Sequence, residues 1–142
     1  MTGPLSGGCL CGAIRYTVDV PIEKLIACHC TDCQHVSGTG ASVNAVVPSS
    51  AFRLVKGQTK VFSKPADSGN VLNRHFCADC GSPIYSQRAN APEVIVLKVG
   101  SLDQHEGMKV VMNIWTRSRR PWTPIDPAIE AYPMGRPPAV QA

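Results

Sequence analysis

Seven cysteines fall in three short groups, and this grouping constrains the fold more than any other feature of the 142-residue chain. The groups read CLC at residues 9–11, CHCTDC at 28–33 and CADC at 77–80. An odd number of cysteines does not suit a framework in which every thiol is paired in a disulfide. Closely spaced cysteines are more typical of tetrahedral metal sites. Metal binding is therefore the first hypothesis for all three groups.

The first and third groups together offer one complete tetrahedral site. Cys9 and Cys11 supply two thiolates, Cys77 and Cys80 supply two more, and four thiolates are a common ligand set for structural zinc. Gly81 follows the third group directly, and a glycine there permits the tight turn in which backbone amides point at sulfur. The two pairs are far apart in the sequence, so a shared metal would contribute directly to folding.

The middle group offers only three thiols, from Cys28, Cys30 and Cys33. Three protein ligands and one open position are the arrangement of catalytic zinc, in which water or substrate takes the remaining place. His29 stands between two of these cysteines. Because neighbouring side chains of an extended segment point in opposite directions, we expect His29 to face away and to form a hydrogen bond in the scaffold. His35 is the alternative fourth ligand.

Short alternating segments bounded by Gly and Pro predict a mainly β protein. Apolar side chains alternate in residues 13–20, which indicates a half-buried strand, and the apolar segment 93–100 is predicted to be a central strand. The helical prediction is confined to residues 32–37, with Thr31 or Asp32 as the cap. Further strands are predicted at 24–27, 41–47, 70–76 and 108–115, and FRLVKG and TKVFSK are predicted to form a hairpin about Gly57.

A single domain is expected over residues 1–142, with its core at about 5–125. No repeat or second hydrophobic pattern divides the chain. The sequence RRPWTPIDPAIEAYPMGRPP contains too many prolines for a helix or a central strand, so an extended tail is predicted at about 118–142. Trp122 and Tyr132 are expected to hold this tail against the body of the protein.

Charge and hydropathy argue against a nucleic-acid or membrane role. The formal net charge is +4, but seven thiolates bound to two divalent ions would bring it close to neutrality. The basic run is short, RSRR at 117–120, and the longest apolar run, VIVL at 94–97, is too short to span a bilayer. The N-terminal sequence MTGPLSGG lacks the regions of a signal peptide. We therefore expect a soluble, cytoplasmic protein without a membrane or nucleic-acid partner.

Four motifs occur in the order found in a known family: GGCLCGAIRY, CHCTDCQHVSG, FCADCGSPIY and VGSLD. On these motifs the chain resembles the glutathione-dependent formaldehyde-activating enzymes, a family that includes centromere protein V. The resemblance implies an Mss4-like fold of small antiparallel sheets around a structural zinc, with at most one or two short helices. It implies two zinc ions per chain. The implied ligands are Cys9, Cys11, Cys77 and Cys80 for the structural zinc, and Cys28, Cys30 and Cys33 for a catalytic, more labile one.

The activity implied by the resemblance is condensation of formaldehyde with glutathione to S-(hydroxymethyl)glutathione, or the reverse, classed as a carbon–sulfur lyase reaction. Zinc would bind the thiol as a thiolate or polarise the aldehyde oxygen. Since glutathione is anionic, Arg117, Arg119 and Arg120 are candidate binding residues, although a solvated loop is the simpler expectation for them. Trp122 matches a family position and is expected to pack over the body. Asn113 stands where family members often carry a histidine.

Two other functions stay open beside the enzyme. A non-enzymatic zinc module could bind a protein or nucleic acid, which the Mss4-like fold and the RSRR run would allow. The group Cys28, Cys30 and Cys33 could instead store zinc or sense oxidation. An exposed strand edge could also pair two copies into a homodimer. The enzyme is preferred because three thiols with an open position suit a substrate that is itself a thiol.

Overall fold

Strands dominate the part of the chain that the structure, a computed structural model, describes, namely residues 4–66 and 68–136. Within these residues there is one α-helix, α1, at Thr31–Ser37. No helix found there has the length and apolar character needed to cross a bilayer. The last residues of the predicted tail, 137–142, lie outside the described residues. The strands are β1 (Leu5–Gly8), β2 (Arg15–Val18), β3 (Lys24–Cys28), β4 (Ser42–Pro48), β5 (Phe52–Lys56), β6 (Lys60–Pro65), β7 (Val71–Phe76), β8 (Pro83–Arg88), β9 (Val94–Lys98), β10 (Lys109–Ile114) and β11 (Glu130–Ala131).

The strands form two sheets. β1, β2 and β5 make a three-stranded antiparallel sheet in the order β1-β2-β5. The other eight form one sheet in the order β11-β10-β3-β4-β9-β8-β7-β6. In this larger sheet β10 runs parallel to both β3 and β11, and the remaining pairs are antiparallel. The prediction of a mainly β fold with a short helix is confirmed, and the larger sheet is wider and more mixed than the sheets that the resemblance implies.

Most predicted strands agree with the structure to within a few residues at their ends. The segments 24–27, 41–47, 70–76 and 108–115 correspond to β3, β4, β7 and β10. β1 has no counterpart among the predicted strands, because its sequence LSGG contains a single large apolar residue and therefore carries no alternating pattern.

The hydrophobic core lies between the two sheets. Tyr16 and Val18 of β2 are fully buried there, as the alternation in residues 13–20 predicts. Val47 of β4 and Leu97 of β9 enter the same core from the larger sheet. β9 lies between β4 and β8, so the prediction of a central strand is also confirmed.

The opposite side of the larger sheet, here called the far face, carries polar side chains. Because side chains alternate along a strand, Ser42 and Asn44 of β4 point away from the hydrophobic core. Cys28 is the direct cross-strand partner of Ser42, and Lys98 is that of Asn44. Ser42 and Asn44 are nevertheless buried, since α1 packs over β4 on this face. β4 thus separates the hydrophobic core from a second, polar layer.

The predicted hairpin about Gly57 is wrong. β5 pairs with β2 in the small sheet, whereas β6 pairs with β7 at the edge of the larger one. The chain crosses between the sheets at Gly57, which has a φ of 77° and runs so close to Ala13 that an added Cβ would lie 2.1 Å from its carbonyl oxygen. A glycine marks where the chain turns but does not select the strand partner. Packing of Phe52 and Leu54 beside Tyr16 favours the small sheet.

The described part of the proline-rich tail returns to the larger sheet. Its short strand β11 runs parallel to β10 at the sheet edge. The Tyr132 N–H donates to the Asn113 carbonyl at 2.9 Å, and the Trp115 N–H donates to the Met134 carbonyl at 2.9 Å. Residues beyond 125 therefore contribute hydrogen bonds to the fold. The single-domain boundary itself stays a prediction.

Candidate metal centres

Four cysteine sulfurs lie within 4.8 Å of one another and form the four-sulfur set. Cys9 and Cys11 come from the turn between β1 and β2, and Cys77 and Cys80 come from the turn between β7 and β8. The Cys9 and Cys11 sulfurs are 3.7 Å apart, and those of Cys11 and Cys77 are 3.8 Å apart. Four sulfurs placed tetrahedrally at a zinc–sulfur distance of about 2.3 Å would lie about 3.8 Å apart. The set therefore fits a tetrahedral zinc ion.

The two turns that supply this set are built alike. The Cys9 N–H donates to the Ile14 carbonyl at 3.1 Å, and the Cys77 N–H donates to the Ser82 carbonyl at 3.0 Å. Each turn thus closes through the same type of hydrogen bond, although one has the spacing C-x-C and the other C-x2-C. Each also contains a glycine in the left-handed region, Gly12 with φ 81° and Gly81 with φ 80°.

Hydrogen bonds to sulfur favour the thiolate form of Cys9 and Cys80. At Cys11, by contrast, the Ala13 backbone hydrogen bond is outweighed by hydrogen bonding to Cys9 and by burial, which raise the pKa of Cys11 to about 12. The Ile14 N–H donates to the Cys9 sulfur at 3.2 Å. Hydrogen bonds from the Ser82 hydroxyl and from its backbone N–H lower the pKa of Cys80 to about 5. Since metal ions bind the thiolate rather than the thiol, these donors prepare Cys9 and Cys80 for a cation.

Cys28, Cys30 and Cys33 form the three-sulfur set, whose ligand atoms also lie within 4.8 Å of one another. Cys28 ends β3 between β4 and β10, and Cys33 lies in the first turn of α1. Cys30 is the N-cap of α1, and its sulfur accepts a hydrogen bond from the Cys33 N–H at 3.3 Å. The prediction that Thr31 or Asp32 caps the helix is therefore wrong, because the preceding cysteine has the extended backbone of a cap and a sulfur that can accept.

Neither nearby histidine completes the three-sulfur set. His29 is 1% exposed, and its Nε2 forms a hydrogen bond of 2.8 Å with Asn113 Oδ1. It faces away from the sulfurs, as the strand geometry predicts. His35 lies on the exposed side of α1 and donates from Nδ1 to the Thr31 carbonyl at 2.9 Å. The alternative in which His35 closes the site is wrong in this structure, since no further Cys, His, Asp or Glu ligand atom in the described residues joins the three sulfurs.

A lysine faces the three-sulfur set from the far face. Lys98 Nζ donates to Asn44 Oδ1 at 2.7 Å, and Asn44 Nδ2 donates to Ser42 Oγ at 3.0 Å. The Ser42 hydroxyl in turn helps to lower the pKa of Cys33, although hydrogen bonding from Cys28 and Cys30 has the largest effect. Burial lowers the pKa of Lys98, while the charges of Cys33 and Cys28 act in the opposite direction. No carboxylate in residues 4–66 and 68–136 pairs with Lys98, so the sulfurs are its counter-charge.

The three sulfurs do not ionise alike. Hydrogen bonds from the Cys28 and Cys30 thiols lower the pKa of Cys33, and Lys98 and Ser42 act in the same direction. Hydrogen bonding to Cys30 and Cys33, together with burial, raises the pKa of Cys28. Without a metal, the set therefore holds its first negative charge on Cys33. A divalent ion would favour release of the remaining thiol protons.

Trp115 forms one wall of the three-sulfur set. It is 8% exposed and packs against Cys28 and Cys33. Its backbone has φ 58° and ψ 37°, a left-handed conformation that is rare for a bulky residue. The tail holds it there through the Met134 carbonyl, and the Arg117 guanidinium lies 5.0 Å from its ring centroid. Strain of this kind is typical of functional sites. No feature of the sequence marks Trp115 as functional, because a tryptophan at the end of an apolar strand carries no signal beyond packing.

Each of the three predicted arginines has a contact within the chain. Arg119 Nη1 donates to the Thr123 carbonyl at 2.6 Å, and Arg120 Nε donates to Gln34 Oε1 at 2.6 Å. Arg117 stacks on the tryptophan described above. All three side chains are exposed, as expected for a solvated loop, and the roles in glutathione or nucleic-acid binding stay predictions.

Trp122 is 68% exposed, so the expectation that it packs over the body is wrong for most of its ring. One ring edge approaches Gly40, where an added Cβ would lie 2.8 Å from Cζ3. This close approach leaves no room for a side chain at residue 40, which explains the glycine there. The tail is held instead by the backbone hydrogen bonds of Tyr132 and its neighbours.

The fold and its sulfur sets define a mainly β protein with two cysteine-lined centres that could hold metal ions. Comparison with family models extends this description. Residues 4–118 match the model of the glutathione-dependent formaldehyde-activating enzymes, so the chain belongs to that family.

Two individual proteins resemble this chain, one in sequence and one in fold. A Halomonas elongata protein, named as a candidate glutathione-dependent formaldehyde-activating enzyme, is 27% identical over 95 residues, which are 64% of this chain. The match spans only 60% of that relative's length. A crystal structure of a Rhodobacter sphaeroides protein, solved as a structural-genomics target, superposes with a TM-score of 0.58 at 19% identity. The superposition covers 89% of this chain and 98% of the other, and it shows a shared fold.

The two centres should release metal differently when a chelator is added to the zinc-loaded protein. The three-sulfur set leaves a coordination position through which a chelator can attack, whereas the four-sulfur set is closed and ties two sheets together. We expect a fast phase with an unchanged far-ultraviolet circular dichroism spectrum, followed by a slow phase that coincides with unfolding.

A matched variant assigns the phases. In Cys30→Ser only the slow phase should persist, because serine keeps the capping hydrogen bond but removes a thiolate. Release of all metal in one phase that coincides with unfolding would contradict the assignment.

Proposed function

We propose that the chain is a zinc-dependent enzyme that forms and cleaves adducts between a thiol and an aldehyde, with glutathione and formaldehyde as substrates. Family membership supports the reaction. The observation that carries the proposal is the three-sulfur set, which has no fourth ligand within the described part of the chain. Three protein ligands leave a place for substrate. The four-sulfur set leaves none, and we assign it to a structural zinc held by Cys9, Cys11, Cys77 and Cys80.

The reaction forms one carbon–sulfur bond. The thiol sulfur attacks the aldehyde carbon, and the thiol proton ends on the former carbonyl oxygen, which gives S-(hydroxymethyl)glutathione. The reverse reaction breaks the same bond and returns the proton, so the enzyme is a carbon–sulfur lyase. No electrons are gained or lost overall. A zinc ion bound at Cys28, Cys30 and Cys33 would supply Lewis acidity, which favours the thiolate or polarises the aldehyde oxygen.

Lys98 balances the charge of this centre. Three thiolates exceed the charge of a divalent ion by one, so the loaded set would carry a net negative charge. A second negative charge, such as an approaching substrate thiolate, would be repelled in a partly buried site. Lys98 places a positive charge there, and Asn44 holds it through the hydrogen bond of 2.7 Å. Its role is therefore to favour an anionic fourth ligand.

Buried hydrogen bonds fix the segment that carries the sulfurs. His29 is anchored to Asn113 beneath the set. Gln34 Nε2 donates to the His29 carbonyl at 2.8 Å and to the Ser118 carbonyl at 2.9 Å, which joins the start of α1 to the chain after β10. Partners of this kind hold ligands in one geometry. The arrangement can therefore keep a bound thiol and an aldehyde in reacting positions.

Exchange NMR of a glutathione and formaldehyde mixture tests this function directly. The zinc-loaded protein should accelerate interconversion with S-(hydroxymethyl)glutathione above the spontaneous rate. Cys30→Ser should return the rate to the spontaneous value while the circular dichroism spectrum stays unchanged, because serine also caps helices well. Full acceleration by a folded Cys30→Ser protein would reject the proposed centre, and no acceleration by the wild type would reject these substrates.

Replacing Lys98 with methionine tests the charge argument. Lys98→Met keeps the length of the side chain and removes its charge, and we expect kcat/KM for glutathione to fall by about 10- to 100-fold, the usual range for a lost outer-shell partner of a metal site. Lys109→Met is the matched control, since Lys109 is exposed at the start of β10. Equal kcat/KM in both folded variants would contradict the assigned role.

A further inference from the structure

A cavity of about 320 Å³ lies between α1 and the β6–β7 edge of the larger sheet. None of its lining residues is a cysteine of the two sulfur sets. Three of its residues come from α1 and three from the sheet. They are Asp32, His35, Val36, Phe62, Lys64 and Arg74.

Strand register places this cavity on the same far face as the three-sulfur set. Phe62, Arg74, Ser86 and Val96 are successive direct cross-strand partners on β6, β7, β8 and β9. Val96 is two residues before Lys98, so both side chains point to the same side of β9. The row of partners therefore leads from the cavity to the lysine that faces the three sulfurs.

The helix α1 also joins the cavity to the three-sulfur set. Asp32, which lines the cavity, directly precedes Cys33 in α1. A molecule with its sulfur at the set could therefore extend along the far face to the cavity.

Arg74 is the unusual residue in this cavity. It is 9% exposed, and its ion pair with Asp32 Oδ2 is 3.9 Å long, beyond hydrogen-bond distance. Its side chain has no hydrogen bond to any residue in the described ranges. Asp32 is already used by Lys64, which donates to Oδ1 at 2.9 Å. The buried side-chain atom without a hydrogen-bond partner here is Asp32 Oδ2, whereas no Arg74 nitrogen is sealed from solvent. The Arg74 guanidinium therefore has unused N–H groups that can donate to an acceptor entering the cavity.

The chemistry of the lining selects the ligand. Lys64 and Arg74 are positive and Asp32 is negative, which leaves one positive charge in excess. The planar guanidinium matches a carboxylate through paired hydrogen bonds. We propose that this cavity binds a carboxylate of the thiol substrate, with Arg74 and Lys64 as the binding residues. The proposal rests on the proposed function and deepens it, because it assigns residues that distinguish a thiol with a carboxylate from one without.

Comparing an acid with its ester tests the proposal on the wild-type enzyme. Glutathione and its diethyl ester have the same thiol and ammonium groups, but the ester has no negative charge. We expect kcat/KM to be about 10- to 100-fold higher for the acid, as for a lost charge-assisted hydrogen bond. Equal values for acid and ester would overturn the carboxylate site while leaving the enzyme activity intact.

Two variants test whether the preference for the acid over the ester arises in the cavity. In Arg74→Met the values for acid and ester should converge, whereas Lys109→Met should keep the wild-type ratio. Should Arg74→Met fail to fold, Lys64→Met serves in its place, because Lys64 is exposed, and it should reduce the ratio. The assignment would be overturned if the ratio of kcat/KM for the acid to that for the ester were unchanged in a folded Arg74→Met protein. The same outcome in Lys64→Met would overturn it where that variant is used instead.

A binding measurement separates this proposal from the proposed function. S-methylglutathione has no thiol and cannot react, so the difference in calorimetric affinity between it and its diethyl ester reports the carboxylate site without catalysis. Tighter binding of the acid by the wild type, lost in Arg74→Met, would support the site even if no catalysis of the glutathione reaction were found. Equal binding of acid and ester would overturn it even if catalysis were found.

Discussion

The convergence of four cysteine sulfurs from two distant turns is the constraint on which the rest of the structure depends. One turn belongs to the small sheet and the other to the larger sheet, so the contact fixes how the two sheets face each other. Sulfur separations of 3.7 and 3.8 Å match the edge of a zinc–thiolate tetrahedron. One side of the larger sheet covers the hydrophobic core. Its opposite side, the far face, therefore carries the polar residues.

That far face explains how the three-sulfur set can remain incomplete. Cys28 ends a strand in the middle of the larger sheet, and Cys30 and Cys33 are held above it by the first turn of α1. The residues that surround the set are a tryptophan, a lysine and a hydrogen-bonded histidine, none of which offers a fourth ligand. The same face continues to Arg74, so a substrate sulfur and a substrate carboxylate have separate places along one surface.

Local patterns in the sequence predict the strands and the helix whose formation depends on residues close together in the chain. The alternation around Tyr16, the apolar strand β9 and the short helix after Cys30 are each visible in a few consecutive letters. The hairpin about Gly57 was predicted wrongly because strand pairing depends on burial of Phe52 in a distant sheet. Lys98 and Arg74 were missed for the same reason, since only register across several strands brings them to one face. Spacing and the family resemblance predict that the seven cysteines form one set of four and one set of three. The structure brings the sulfurs of each set together.

The central claim is that one cysteine centre is closed and the other accepts a thiol. X-ray absorption at the zinc edge measures it directly, because the average number of sulfur neighbours per zinc is read with and without glutathione. The account predicts two zinc ions per chain and an average below four sulfurs, with the remaining place taken by a lighter atom, and a rise to four when glutathione is added. Four sulfurs per zinc before addition, or no change after it, would contradict the account.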